Sequence, residues 1–215
     1  MGNGYLDDLL LNNFGGIELK SPLFYNAPVG IRFEMGGDID VSEKRIQQVK
    51  QRAVTLFNAV NQDNDSIYFV LFMDSWDEHQ VVDFENDVLK VFENFIDGID
   101  LKQIFKKEQE YRYKDTGEDD DTVTIRYCAK LKVRNLNIDN LIWAIANRTI
   151  EIEVSSIVGD IFLVNETKKI IFYLYDDRGL DIVVENKKIL KPIYEQYNDW
   201  ILDYDREKIK MIFGQ

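Results

Sequence analysis

Apolar residues along this chain recur at two spacings, and the switches between them mark out its elements. A spacing near 3.6 predicts amphipathic helices, and strict alternation predicts half-buried strands. Residues 3–14 carry a helical stripe that stops at Gly15-Gly16, a pair suited to end a helix. Residues 29–35 alternate, with Ile31 and Phe33 on one face and Arg32 and Glu34 on the other, and predict a strand. Asp40 with Glu43 has the form of a capping box, and Ile46, Val49, Ala53, Phe57 and Val60 then predict a helix to about residue 61. Residues 67–73 are apolar on both faces, as expected of a central strand.

In the middle of the chain, Val88, Leu89, Phe92, Phe95 and Ile96 predict a helix ending at Gly98, with a second helical piece over 101–105. Residues 111–113 are expected to begin a strand, and 116–121 to form an acidic loop. Between Val123 and Val133 apolar and polar residues alternate, which predicts a strand with one solvated face. Asn137 is placed to cap a helix carrying Leu141, Ile142 and Ile145. Residues 161–164, 170–175 and 180–184 read as a meander of three short strands, followed by a helix bearing Ile189, Ile193, Tyr197 and Ile201 and a last short one with Ile209 and Phe213. No βαβ rhythm and no Gly-rich phosphate loop interrupt this order. The expected fold class is therefore α+β: a largely antiparallel sheet with a C-terminal β-meander and helices packed on it. Residues 1–215 are expected to form one such domain, and a division into two subdomains would fall near 115–122.

Composition narrows the function classes. A chain of 215 residues that is 45% hydrophobic can bury a substantial core. Its net charge of −13 repels phosphate backbones, so a basic protein is an expected partner and nucleic acid is not. The single cysteine, Cys128, excludes a disulfide framework and a multi-cysteine zinc site. Apolar runs are strand-sized rather than bilayer-sized, and nothing near the start reads as a secretion signal, so the expectation is a cytoplasmic protein with no membrane partner.

Several residue groups could carry chemistry. His79, the only histidine, follows Asp74, Asp77 and Glu78, yet zinc hydrolases draw on two or three histidines; an acid-rich helix opening is the preferred reading. Cys128 shares a strand face with Arg126, Lys130 and Lys132, whose charges favour a thiolate, but a nucleophile needs a base and none is adjacent. An unreactive thiol is expected. Asp181, Glu185 and Lys187 follow the Asp…Glu-x-Lys spacing of metal-dependent nucleases. On one extended strand Asp181 and Glu185 would stand about 13 Å apart, so a shared metal would need Asp176 or Asp177 from across a hairpin. A two-residue Arg178-Gly179 loop would set Asp176 against Asp181, like charge on like. A three-residue Asp177-Arg178-Gly179 loop would pair Asp176 with Leu180 and put Gly179 in the left-handed position; this register is preferred. If the Arg32 face is covered, its guanidinium must find carboxylates, with Asp176, Asp177 and Asp181 as candidates. Arg32, Asp176, Asp177, Arg178 and Asp181 are thus the candidate binding residues, and no cofactor is expected. Tyr194, Tyr197, Trp200 and Tyr204 recur at helical spacing and suit core packing or, if exposed, a protein-binding surface.

Five blocks of sequence carry a family resemblance: Ser21-Pro22-Leu23-Phe24-Tyr25-Asn26-Ala27-Pro28, Ile31-Arg32-Phe33-Glu34, Arg52-Ala53-Val54-Thr55-Leu56-Phe57-Asn58, Ile171-Phe172-Tyr173-Leu174-Tyr175-Asp176-Asp177-Arg178-Gly179-Leu180-Asp181, and Tyr194-Glu195-Gln196-Tyr197-Asn198-Asp199-Trp200-Ile201-Leu202-Asp203-Tyr204-Asp205-Arg206-Glu207. With these the chain resembles a bacterial family, domain of unknown function 3885 (DUF3885), over nearly its whole length. The resemblance brings no activity and no catalytic residue. The leading expectation is a non-enzymatic, protein-binding protein of the immunity type, neutralising a toxin. The alternative is a metal-dependent hydrolase or nuclease using Asp176, Asp177, Asp181, Glu185 and Lys187.

Overall fold

The structure is a computed structural model that describes residues 2–75, 78–114, 122–148 and 157–214. Among the described residues, six helices accompany one seven-stranded sheet. The helices are α1 (Gly2–Phe14), α2 (Glu43–Val60), α3 (Glu78–Phe95), α4 (Ile138–Asn147), α5 (Lys187–Gln196) and α6 (Arg206–Phe213). The strands are β1 (Gly30–Glu34), β2 (Ser66–Ser75), β3 (Phe105–Glu110), β4 (Val123–Lys132), β5 (Asp160–Asn165), β6 (Ile170–Leu174) and β7 (Gly179–Val184). Their order is β1-β7-β6-β5-β2-β4-β3, and every neighbouring pair is antiparallel. The fold class is α+β, and strands from either side of residues 115–122 pair in one sheet.

Helices cover both faces of this sheet. On one face, α2 to α6 bury Ile46, Phe57, Phe92, Leu141, Leu190 and Phe213 against Ile31, Phe33, Phe69, Leu71, Phe172 and Ile182. On the other, Leu6, Leu9, Leu10 and Phe14 of α1, with Ile17, Leu19 and Leu23 after it, cover Tyr68, Val70, Cys128, Phe162 and Tyr173. Each such fully buried side chain contributes about 1.5–3 kcal/mol, so α1 is held by its apolar stripe. Positive φ at Gly15 (65°) and Gly16 (75°) ends α1 and reverses the chain, which then runs back over the sheet as residues 17–27.

Four expectations change for physical reasons. The helix expected to carry Tyr197 and Ile201 ends at Gln196, because Ile201 is drawn into a backbone bridge with Phe33. Helix α2 is capped by Ser42, whose hydroxyl accepts from Arg45 N, rather than by Asp40. Helical structure at 101–105 is a single 3₁₀ turn at Leu101–Gln103, and the strand comes next, at Phe105–Glu110, instead of beginning at 111. That strand is Phe-Lys-Lys-Glu-Gln-Glu: its outer edge meets no other strand among the described residues, and its charges discourage further pairing. On β4 the face expected to be solvated is exposed only at Lys130 and Lys132; Thr124 is buried beside Asp74 and Arg112, and Arg126 and Cys128 are buried under α1. The expected acidic loop at 116–121 lies outside the described residues.

The opposite edge of the sheet is closed. Ile201 bridges to Phe33, and Leu202 N donates to Arg32 O at 3.0 Å, so the stretch after α5 lies along β1 as a strap.

Candidate functional site

Strands β6 and β7 pair Tyr173 with Asp181 and Leu174 with Leu180. Residues 176–178 therefore form the loop, between Tyr175 and Gly179. Leu174, rather than Asp176, faces Leu180, so neither register weighed from the sequence is the one formed. Asp176 is drawn into its own turn, where Oδ1 accepts from Arg178 N and Oδ2 from Arg178 Nε, both at 2.8 Å. From the neighbouring strand, Met35 N donates to Arg178 O at 2.9 Å and fixes the loop from outside. Gly179 is a strand residue and not the left-handed one: a Cβ there would lie 1.8 Å from the Tyr175 hydroxyl.

This register carries Asp181 onto the face covered by residues 17–27, directly opposite Arg32. Arg32 Nε donates to Asp181 Oδ1 at 2.8 Å and Nη2 to Oδ2 at 3.1 Å, a two-point contact of the kind a planar guanidinium favours. Phe24 N adds a third donor to Asp181 at 2.9 Å, and the carboxylate is fully buried. Burial alone raises the Asp181 carboxyl, a push that Arg32 and the Phe24 amide oppose. Burial likewise pulls the Arg32 guanidinium down, but its bonds to Asp181 more than reverse this and leave it above its ordinary value. Rings of Tyr25, Phe24 and Tyr175 surround the guanidinium, with centroids 4.8, 5.5 and 5.9 Å from Cζ. The strap delivers one more acid: Asp205 Oδ2 stands 3.6 Å from Arg32 Nη1, and Asp205 Oδ1 accepts from the Tyr25 hydroxyl at 2.6 Å. That bond pushes the Tyr25 hydroxyl up to about 12.

The candidate binding residues thus divide. Arg32 and Asp181 form one buried pair; Asp177 pairs with Arg45, which also donates to Gly37 O and Ile39 O. Asp176 pairs with Arg178, whose side chain stays 73% exposed. For the metal reading, each of the three aspartates is answered by a different arginine. β7 ends at Val184, so Glu185 and Lys187 leave the strand face expected of them: Glu185 accepts from Asn13 Nδ2 and Lys187 opens α5. Among the described residues no three His, Cys, Asp or Glu side chains lie together as a metal set. The expected Asp74–His79 group includes Trp76 and Asp77, which lie outside the described residues. Cys128 is buried, and that burial pushes its thiol up to about 12.

A second arginine cluster escaped sequence reading. Arg112 Nη2 donates to Asp74 at 2.8 Å and to Asp160 at 3.0 Å, and Nη1 donates to Leu19 O at 3.1 Å. Its guanidinium lies 4.4 Å over the Phe72 ring. Arg112 sits after β3 in no regular element, so neither periodicity nor alternation marks it as inward. The one available signal was the need of a partner for Asp74 at the end of an apolar strand.

Of the C-terminal aromatics, Tyr194 stacks on Phe213 and Tyr197 on Trp200, whereas Tyr204 is 87% exposed. No helix among the described residues is long and apolar enough to cross a membrane.

The chain is 27% identical over 214 residues to the Bacillus subtilis (strain 168) "Uncharacterized protein YnaE", covering 94% of this chain and 97% of that protein. No solved structure matches it. Residues 6–205, which include β1, the β6–β7 hairpin and the strap, match the family described as "Domain of unknown function (DUF3885)", and the chain belongs to that family.

Proposed function

We propose that this chain is a non-enzymatic protein-binding protein whose partner is a basic protein, in the manner of an immunity protein that neutralises a toxin in the cytoplasm. One observation carries the reading: Tyr204 projects almost fully into solvent from a stretch whose neighbours are pinned. Asp205 is held by Tyr25, Leu202 N by Arg32 O, and Arg206 donates to Asp203, Asn198 and Ile201. A tyrosine on a rigid support loses little conformational freedom on binding, which is what makes aromatic anchors effective at interfaces. Asp199, Asp203 and Glu207 are exposed around it and favour a cationic partner. In this reading Arg32, Asp181 and Asp177 hold the platform, Asp176 shapes the turn that displays Arg178, and the chain acts as one unit.

The test is a pull-down from a native lysate of the source organism with the wild-type chain and Tyr204→Ala side by side. A basic protein retained by the wild type and lost from the variant is expected. Failure to retain any basic protein across a series of salt concentrations would overturn the reading.

A further inference from the structure

The chain before Gly15-Gly16 and the chain after it are fastened in different ways. Residues 19–24 are tied through their backbone to Arg112, Tyr113 and Asp181. Leu19 O accepts from Arg112 Nη1 at 3.1 Å, Ser21 N donates to the Tyr113 hydroxyl at 3.0 Å, and Phe24 N donates to Asp181 at 2.9 Å. Helix α1 is tied instead by side chains that reach the surface. Asp7, whose side chain is 40% exposed, accepts from Arg126 at 2.6 Å and from Lys107 at 2.8 Å, and Asn13 Nδ2 donates to the exposed Glu185 at 3.2 Å.

The joint between these two parts is free to turn. Gly15 and Gly16 both have positive φ, and a Cβ at Gly15 would meet nothing within 4 Å, so no side-chain packing steadies it. Open volume lies beside it as well. A cavity of about 510 Å³ runs between Asp7, Leu10 and Leu11 of α1 and residues 109–112. Another, of about 570 Å³, lies between Asn13, Phe14 and the end of β7, and Gly16 and Ile17 border both.

Energetics favour lifting α1 ahead of the rest. Leu6, Leu9, Leu10 and Phe14 are its buried apolar anchors, whereas α2 buries Ile46, Val49, Ala53, Leu56, Phe57 and Val60 against the opposite face. Lifting α1 would strand no charge in the interior: Asp7 is already part-exposed, and Arg126, buried beneath the helix, would meet water as the helix left. A helix with fewer apolar anchors, solvent-screened ties and a glycine joint is the unit expected to open first.

We propose that α1 is a hinged lid. It swings as one unit about Gly15-Gly16 while residues 19–27 stay fastened, and it uncovers an apolar floor of Tyr68, Val70 and Cys128. The lid is independent of the protein-binding reading, which rests on Tyr204.

Cys128 is the chain's single cysteine and lies under the lid, so its reaction with the thiol reagent DTNB in native buffer tests the proposal. The labelling rate should respond to urea less steeply than global unfolding does, because opening exposes less surface. Asp7→Ala should raise the rate about fivefold by removing the ties to Arg126 and Lys107. Val49→Ala, on α2 across the sheet, should lower the urea midpoint of global unfolding and leave the labelling rate unchanged. Native-state hydrogen exchange should give the amides of residues 7–14 one common opening equilibrium, equal to that read at Cys128. Labelling as steep in urea as global unfolding, acceleration by Val49→Ala that matches its loss of global stability, or an Asp7→Ala rate equal to wild type would each overturn the lid. So would graded exchange along α1 with Cys128 labelled only on global unfolding, the pattern of a fraying end.

Discussion

Arg32 and Arg112 occupy the same face of one sheet and are built alike. Each guanidinium bridges two aspartates, Asp181 and Asp205 for one and Asp74 and Asp160 for the other. Each lies over aromatic rings and fastens one end of the segment 17–27, through Phe24 N on Asp181 and through Leu19 O on Arg112. What differs is access. Asp181 is fully buried within the sheet register, whereas the side chains of Asp74 and Asp160 keep 25% and 22% of their exposure and Arg112 borders a cavity. A buried charge that loses its partner has no alternative, while a partly exposed one can turn to water. The same motif is therefore a lock at one end of the covering segment and a wall of an open cavity at the other.

The largest effect expected from breaking this comparison is at Arg32. Arg32→Met leaves the Asp181 carboxylate with only the Phe24 amide, and a loss of about 3–5 kcal/mol in urea denaturation is expected. Much of that loss should return in Arg32→Met/Asp181→Leu, because the penalty is that of an unpaired buried charge. A loss under about 1 kcal/mol in the single variant would show that Asp181 is solvated after all. Arg112→Met should cost less, about 2 kcal/mol, since Asp74 keeps Thr124 and Asp160 keeps Arg148. Equal losses for the two variants would erase the distinction between lock and wall.

Legibility from sequence follows the same division. Arg32 lies on the polar side of an alternating strand, so its need for a carboxylate could be read only on condition that this face is covered, and Asp181 was among three candidates. The register that selects Asp181 could not be read, because turn rules treat Gly179 as the left-handed residue. In the fold it is instead the position where the Tyr175 hydroxyl leaves no room for a Cβ. Asp205 and Arg112 lie outside regular periodicity, in a strap and a post-strand turn whose burial is set by long-range packing. Strand β3 escaped for a related reason: a charged edge strand has no alternating apolar face, and its lysines are placed by partners distant in sequence, Lys106 over the Tyr127 ring of β4 and Lys107 on Asp7.

The smallest effect, and the finest probe of the lock, is at Tyr25. Its hydroxyl donates to Asp205 Oδ1 at 2.6 Å, and Asp205 Oδ2, though within ion-pair range of Arg32, makes no hydrogen bond. Tyr25→Phe leaves neither Asp205 oxygen hydrogen-bonded, for an expected loss of about 1 kcal/mol near neutral pH, since a half-exposed ring lets water replace part of the bond. High pH gives an independent readout. The bond to Asp205 raises the Tyr25 hydroxyl from its ordinary 10 to about 12, so the folded chain keeps a proton that the unfolded chain has released between those values. The stabilisation is fully present below the unfolded value and is lost as pH rises through the folded one. Tyr25→Phe should therefore flatten the alkaline fall in stability. A residual slope should survive, because burial also raises Tyr68, Tyr173 and Tyr175. If the variant kept the full wild-type slope, Asp205 would not be what holds the Tyr25 proton, and the Asp205 side chain would be held by Arg32 alone.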